Sequence, residues 1–229
     1  MKRVLLVLVG AVSFLWPLAA RAQVPNEGLA NAVAAARQKN ATLLSQYNWN
    51  CRTEVLKDGD TQDIRIDLMN LGPDGTVQRS LINDQPGRLP GGFLRKAVAE
   101  NKRKELEEYV GGLGKLVDQY TLPGAGKMAS FLVQAQVQPS TTPEGTTVLQ
   151  VTGSSVVVPG DTFTTTLDGT KLVPKSIQIT TTFKEEQVTV SATFRTTAAG
   201  LNHLQYATVT VPGKNITVNI HNYDYVPNN

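Results

Sequence analysis

The chain has one cysteine, Cys51, and two histidines, His203 and His221. A single thiol excludes an intramolecular disulfide. A catalytic thiol needs a histidine partner, and both histidines stand far along the chain from Cys51. No Cys/His cluster has metal-ligand spacing, and no Gly-x-Ser-x-Gly elbow occurs. Gly124-Ala125-Gly126-Lys127 has Thr121 where a phosphate loop needs its first glycine and Met128 where it needs Ser or Thr. The sequence therefore calls for no metal, no cofactor and no catalytic constellation. A basic surplus is lacking too. Lys and Arg number 22 against 19 Asp and Glu. Three of the basic residues, Lys2, Arg3 and Arg21, lie in the first 22 positions, where no acid stands. The remainder is formally neutral, which argues against a nucleic-acid partner.

The first 22 residues have the parts of an export signal. Met1-Lys2-Arg3 is a positive start, Val4 to Leu18 an uncharged and mostly apolar run, and Ala20-Arg21-Ala22 a small-residue cleavage site. The run is shorter than the ~20 residues of a spanning helix, and Pro17 interrupts its end. Cleavage near Ala22/Gln23 is expected to leave residues 23–229 as one domain, periplasmic or secreted and not integral to the membrane.

In that domain the apolar spacing predicts a helix over Leu29–Tyr47 and another over Phe93–Tyr120. In the second, Leu106, Tyr109, Val110, Leu113, Leu116 and Val117 form one stripe. Arg103 and Glu107 form an i,i+4 pair on the other side. Gly111, Gly112 and Gly114 weaken this helix and are expected to break it. Asp58-Gly59 and Pro73-Asp74-Gly75 punctuate a three-strand meander beginning at Trp49. Residues 140–229 hold twenty threonines against five in residues 1–139. Their alternation with apolar residues predicts a long antiparallel run with one polar face. Candidate strands include Ser130–Val137, Ser155–Val158, Thr162–Leu167 and Lys175–Lys184. The count is about eleven strands and two helical segments. The expected class is α+β: a strongly curved antiparallel sheet, an unclosed β-barrel, with helices covering its concave face.

The apolar residues that alternation assigns to the covered face are Trp49, Val55, Ile64, Ile66, Leu68, Phe131, Phe163, Ile177, Ile179, Val188, Val190 and Phe194. They are the candidate lining of an apolar cavity; each is equally an ordinary core residue. Cys51, alternating with Trp49 and Val55, reads as a small buried hydrophobe. His221 falls on the polar face of its strand.

The step Thr164-Thr165-Thr166-Leu167-Asp168-Gly169-Thr170-Lys171-Leu172-Val173-Pro174-Lys175-Ser176-Ile177, and the closing Asn222-Tyr223-Asp224-Tyr225, resemble bacterial periplasmic lipoprotein carriers and outer-membrane lipoprotein-sorting proteins. The order of elements over most of residues 23–229 is similar as well. The resemblance implies an unclosed barrel with a helical lid around an apolar cavity for acyl chains. Two readings stand side by side. One is a non-catalytic carrier or binder of a lipid or acyl ligand. The other is a structural or interaction module of the cell envelope, with a filled core and a protein partner.

Overall fold

The computed structural model describes residues 26–72, 75–87, 93–121 and 125–228. The export signal expected at residues 1–22 lies outside the described residues, as does most of the Pro/Gly-rich loop before Phe93. The described elements are α1 (Glu27–Leu44), β1 (Tyr47–Lys57), β2 (Asp60–Leu71), β3 (Val77–Pro86), α2 (Phe93–Thr121), α3 (Ala125–Gln134), β4 (Gln136–Thr141), β5 (Thr147–Ser154), β6 (Thr162–Asp168), β7 (Pro174–Phe183), β8 (Glu186–Thr196), β9 (Asn202–Val211) and β10 (Ile216–Pro227). The strands form one ten-stranded sheet in the order β3-β2-β1-β10-β9-β8-β7-β6-β5-β4. Every pairing is antiparallel. β3 and β4 are free edges, so the barrel is unclosed. Chain order runs along the sheet except where β1 joins β10, which brings the first meander against the last strand.

One expected strand is absent and another is displaced, which leaves ten among the described residues. Ser155–Val158 is a loop whose amides point at one carboxylate, as described below. Most of Ser130–Val137 belongs to α3, with β4 starting only at Gln136. The α-helices among the described residues are accordingly three. α2 also runs unbroken through its glycines. Gly112 faces the sheet closely: a Cβ at this position would stand 2.8 Å from the tip of Phe183, which would have to shift.

Directly opposed residues of an antiparallel pair share a face, so register sorts the two faces. One is covered by helices. Under α2, Leu113, Leu116 and Tyr120 pack with Phe163, Ile179, Val188, Val190, Val209, Val211 and Val218. Ala30 and Val33 of α1 and Leu132 of α3 pack with Val151 and Leu167. The far end of α1 brings Leu44 to Trp49, Cys51 and Met69. Each buried aliphatic side chain contributes about 1.5–3 kcal/mol, so this inner face is the molecule's main store of stability. The outer face carries the threonines that alternate with these residues.

Candidate functional site

α2 is fastened to the sheet by a buried polar knot. The Tyr120 hydroxyl donates to Asp161 Oδ2 at 2.6 Å and lies 2.8 Å from Thr181 Oγ1. Three successive backbone amides also reach this carboxylate. Val156 N–H donates to Oδ1 at 2.7 Å, and Val157 and Val158 N–H donate to Oδ2 at 2.8 Å each. The chain from Ser155 to Gly160 thus folds around Asp161 instead of extending as a strand. Burial alone would raise the Asp161 pKa. The Tyr120 hydroxyl and the three amides outweigh it and hold the carboxyl below its ordinary value. Burial also pushes the Tyr120 phenol up, with the Asp161 bond adding to it.

α2 crosses the sheet near the turns that follow β1, β7 and β9. The Tyr109 ring meets Phe183 edge-on at 5.2 Å. The ammonium groups of Lys184 and Lys214 stand 5.6 and 5.5 Å from the centre of the same ring. α1 crosses at the opposite end. Its Asn40 donates to the Asn202 carbonyl at 2.7 Å and accepts from the Asn202 N–H at 2.8 Å. Asn202 opens β9, so this reciprocal pair fixes α1 to the sheet end farthest from α2.

Between the two helices the inner face carries smaller side chains. Thr53, Ile220, Ala207, Ala192, Ile177 and Thr165 are successive opposed residues from β1 across to β6, forming one row on the inner face. Two alanines and two threonines keep this row shallow. All of the row but Thr53 and Ile220 is buried, with Ala207 and Ile177 at 7% and Ala192 at 4%. Ile220, Phe194 and Leu204 remain only partly buried although they pack against the same core. This row lies between the strand end that carries α2 and the strand end that carries α1.

The β2 end of this face is polar. Asp67, only 1% exposed, accepts the Arg65 Nε at 2.9 Å on each of its oxygens. Asp63 faces Asp84 of β3 and Arg103 and Glu107 of α2. Burial first, then the Asp84 carboxyl, raise its pKa. Cys51 is a buried thiol whose pKa is raised by burial. Asn222 lies opposite Cys51, which in turn lies opposite Asp67. The Asn222 Oδ1 is buried without a partner among the described residues. A buried orphan acceptor costs about 1–3 kcal/mol.

The structure places the sequence-predicted lining in three groups. Phe163, Ile177, Ile179, Val188 and Val190 come together with Val55 in one core, with Phe194 packed against it. Phe131 joins them from α3, not from a strand, meeting Phe163 edge-on at 5.1 Å. Trp49 is on the same face but in the satellite cluster under Leu44, where it stacks on Tyr225 at 5.5 Å. Ile64, Ile66 and Leu68 lie opposite Glu54, Arg52 and Asn50. That register puts them on the outer face, away from Trp49 and Val55. Alternation shows which residues of β2 share a face but not which face is covered, and here the covered one is Asp63, Arg65, Asp67 and Met69. Of the histidines, His221 sits between Tyr206 and Tyr223, stacked on Tyr206 at 4.3 Å. His203 packs on Tyr225 at 4.0 Å, and burial lowers its pKa.

The class defined by this geometry is an unclosed antiparallel sheet with helices over one face. No helix among the described residues is long and apolar enough to cross a membrane. No protein-family model matches the chain, and no curated protein matches it. Among solved structures it is similar to a DUF1329 family protein from Desulfovibrio piger, at 8% identity and a TM-score of 0.48, over 89% of this chain and 93% of that one. It is also similar to a LolA superfamily protein from Nitrosomonas europaea, at 9% identity and a TM-score of 0.36, over 87% of this chain and 94% of that one. A third is a putative outer membrane lipoprotein-sorting protein domain from Vibrio parahaemolyticus, at 9% identity and a TM-score of 0.38, over 86% and 93%.

Proposed function

We propose that this chain is a non-catalytic carrier or binder of a lipid or acyl ligand, exported to the periplasm by its first 22 residues and working in outer-membrane lipoprotein or lipid trafficking. The partly buried apolar side chains on the inner face between α1 and α2, which we take as the slot for the ligand, are the observation that supports this reading. Ile220, Leu204 and Phe194 on this face are only partly buried. An acyl chain laid there would be removed from water at about 25 cal/mol per Å² of apolar surface. No nucleophile or base is needed for such binding. The proposed lining is Phe194, Ile177, Ile220, Leu204, Ala192 and Ala207, with Phe163, Phe131, Ile179, Val190, Val188 and Val55 as the deeper wall.

Native mass spectrometry of protein purified gently from its host tests this. The expected result is a stoichiometric lipid released on activation. Protein that carries no lipid, and that takes up none from mixed vesicles of host lipids, would overturn it. The second reading, an envelope interaction module, draws on the β3 edge. Leu81 and Ile82 of that strand and Leu68 beside it are exposed, and a free edge of this kind accepts a partner strand.

A further inference from the structure

We propose that the β1–β10 end of the slot is a subsite for an uncharged, hydrogen-bond-donating head, a hydroxyl, held by Asn222 while the hydrocarbon lies along the Ala207–Ala192 row. The proposal rests on the carrier reading and adds the chemistry of the head. Asn222 is more than nine-tenths buried. It stands two residues beyond Ile220 on the same inner face, opposite Cys51. Its Oδ1 accepts nothing among the described residues. Buried acceptors of this kind are normally paired, so the missing partner is a donor supplied from the slot.

The neighbouring charges select the head. Arg65, Asp67 and Arg79 all act on Cys51, the residue beside Asn222. An ammonium head would be desolvated next to two guanidinium groups. A carboxylate or phosphate head would be drawn to the guanidinium groups, yet it would bring an oxygen without a proton to an oxygen that needs one. A hydroxyl meets neither penalty. It donates to Oδ1 and leaves the Arg65–Asp67 pair intact, and burying it unpaired elsewhere would be unfavourable.

The test uses 1-dodecanol and dodecyl methyl ether, which share a chain and an oxygen but differ in the donor. Both are titrated against a bound apolar dye, on the purified protein and on Asn222→Leu. The Asn222 Oδ1 makes no hydrogen bond among the described residues, so this variant is expected to fold; should it not, Asn222→Ala is read in the same way. The ratio of ether to alcohol dissociation constants is expected to fall about tenfold in the variant, as one hydrogen bond relieving an orphan acceptor implies. A ratio unchanged within twofold means that water satisfies Asn222, and overturns the subsite while the carrier reading stands. Failure of both compounds to displace the dye from the unaltered protein overturns both.

Discussion

Replacing Tyr120 with Phe removes one oxygen from the knot that holds α2 on the sheet and leaves the ring in place. The ring stays useful, since it lies parallel to Phe163 at 6.5 Å. What is lost is a 2.6 Å bond to a buried carboxylate. Hydrogen bonds to charged groups contribute about 1.5–3 kcal/mol, and Asp161 keeps its three amides, so about 2 kcal/mol is expected. For a chain of this size, that is a fall in Tm of roughly 4–8 °C. Its pH dependence follows from the Asp161 shift. The folded pKa lies below the ordinary value, so the carboxylate's contribution is fully present above about pH 4 and is lost as pH falls through the lower folded value. The gap between the parent and Tyr120→Phe should therefore be constant from about pH 5 to 8 and shrink toward pH 3. Differential scanning calorimetry across that range measures both. A gap smaller than about 1 °C at pH 7, or one that widens in acid, would refute the account of the knot.

Two further outcomes are expected. Asp63 is held with its pKa raised, by burial and by Asp84. Its ionised form is disfavoured in the fold, so Asp63→Asn should raise Tm at pH 7 and leave it unchanged near pH 3, where both folded and unfolded chains carry the proton; scanning fluorimetry at the two pH values decides it. Lys184 and Glu185 both adopt positive φ, 49° and 68°, in the β7–β8 turn. Lys184→Asn with Glu185→Gly relieves about 2 kcal/mol of left-handed strain and gives up a Lys–Tyr109 contact of about 0.5–1 kcal/mol. A net gain of about 1 kcal/mol in a urea melt is expected, and a loss would show that the Tyr109 contact dominates.

The sheet was largely legible because threonine and apolar residues alternate with period two through β6, β7, β8 and β9. Phe163, Ile177, Ile179, Val188 and Val190 could be put on one face from spacing alone. The β2 residues could not. A strand with Ile64, Ile66 and Leu68 on one side and Asp63, Arg65 and Asp67 on the other hides its apolar face in most sheets; here β2 lies near an edge, where the inner face turns polar. α3 was hidden for a different reason. Phe131-Leu132-Val133 is a short apolar run that fits strand or helix equally well, and flanking glycines point away from a helix. The β-branched run Val156-Val157-Val158 reads as a strand, yet its amides are claimed by Asp161, which is itself positioned by Tyr120. Long-range partners of that kind leave no local signal. Asn222 escaped notice likewise, because an acceptor is an orphan only by virtue of what surrounds it.

The central claim is that the inner face between α1 and α2 admits an apolar ligand. Filling the slot tests it most directly. Saturable binding of the uncharged dye Nile red at one site is predicted for the parent protein. It should persist in Leu68→Ser on the outer face and be abolished in Ala192→Phe, with the near-ultraviolet circular dichroism of the fold retained. Equal binding by a folded Ala192→Phe, or loss of binding in Leu68→Ser instead, would contradict the account.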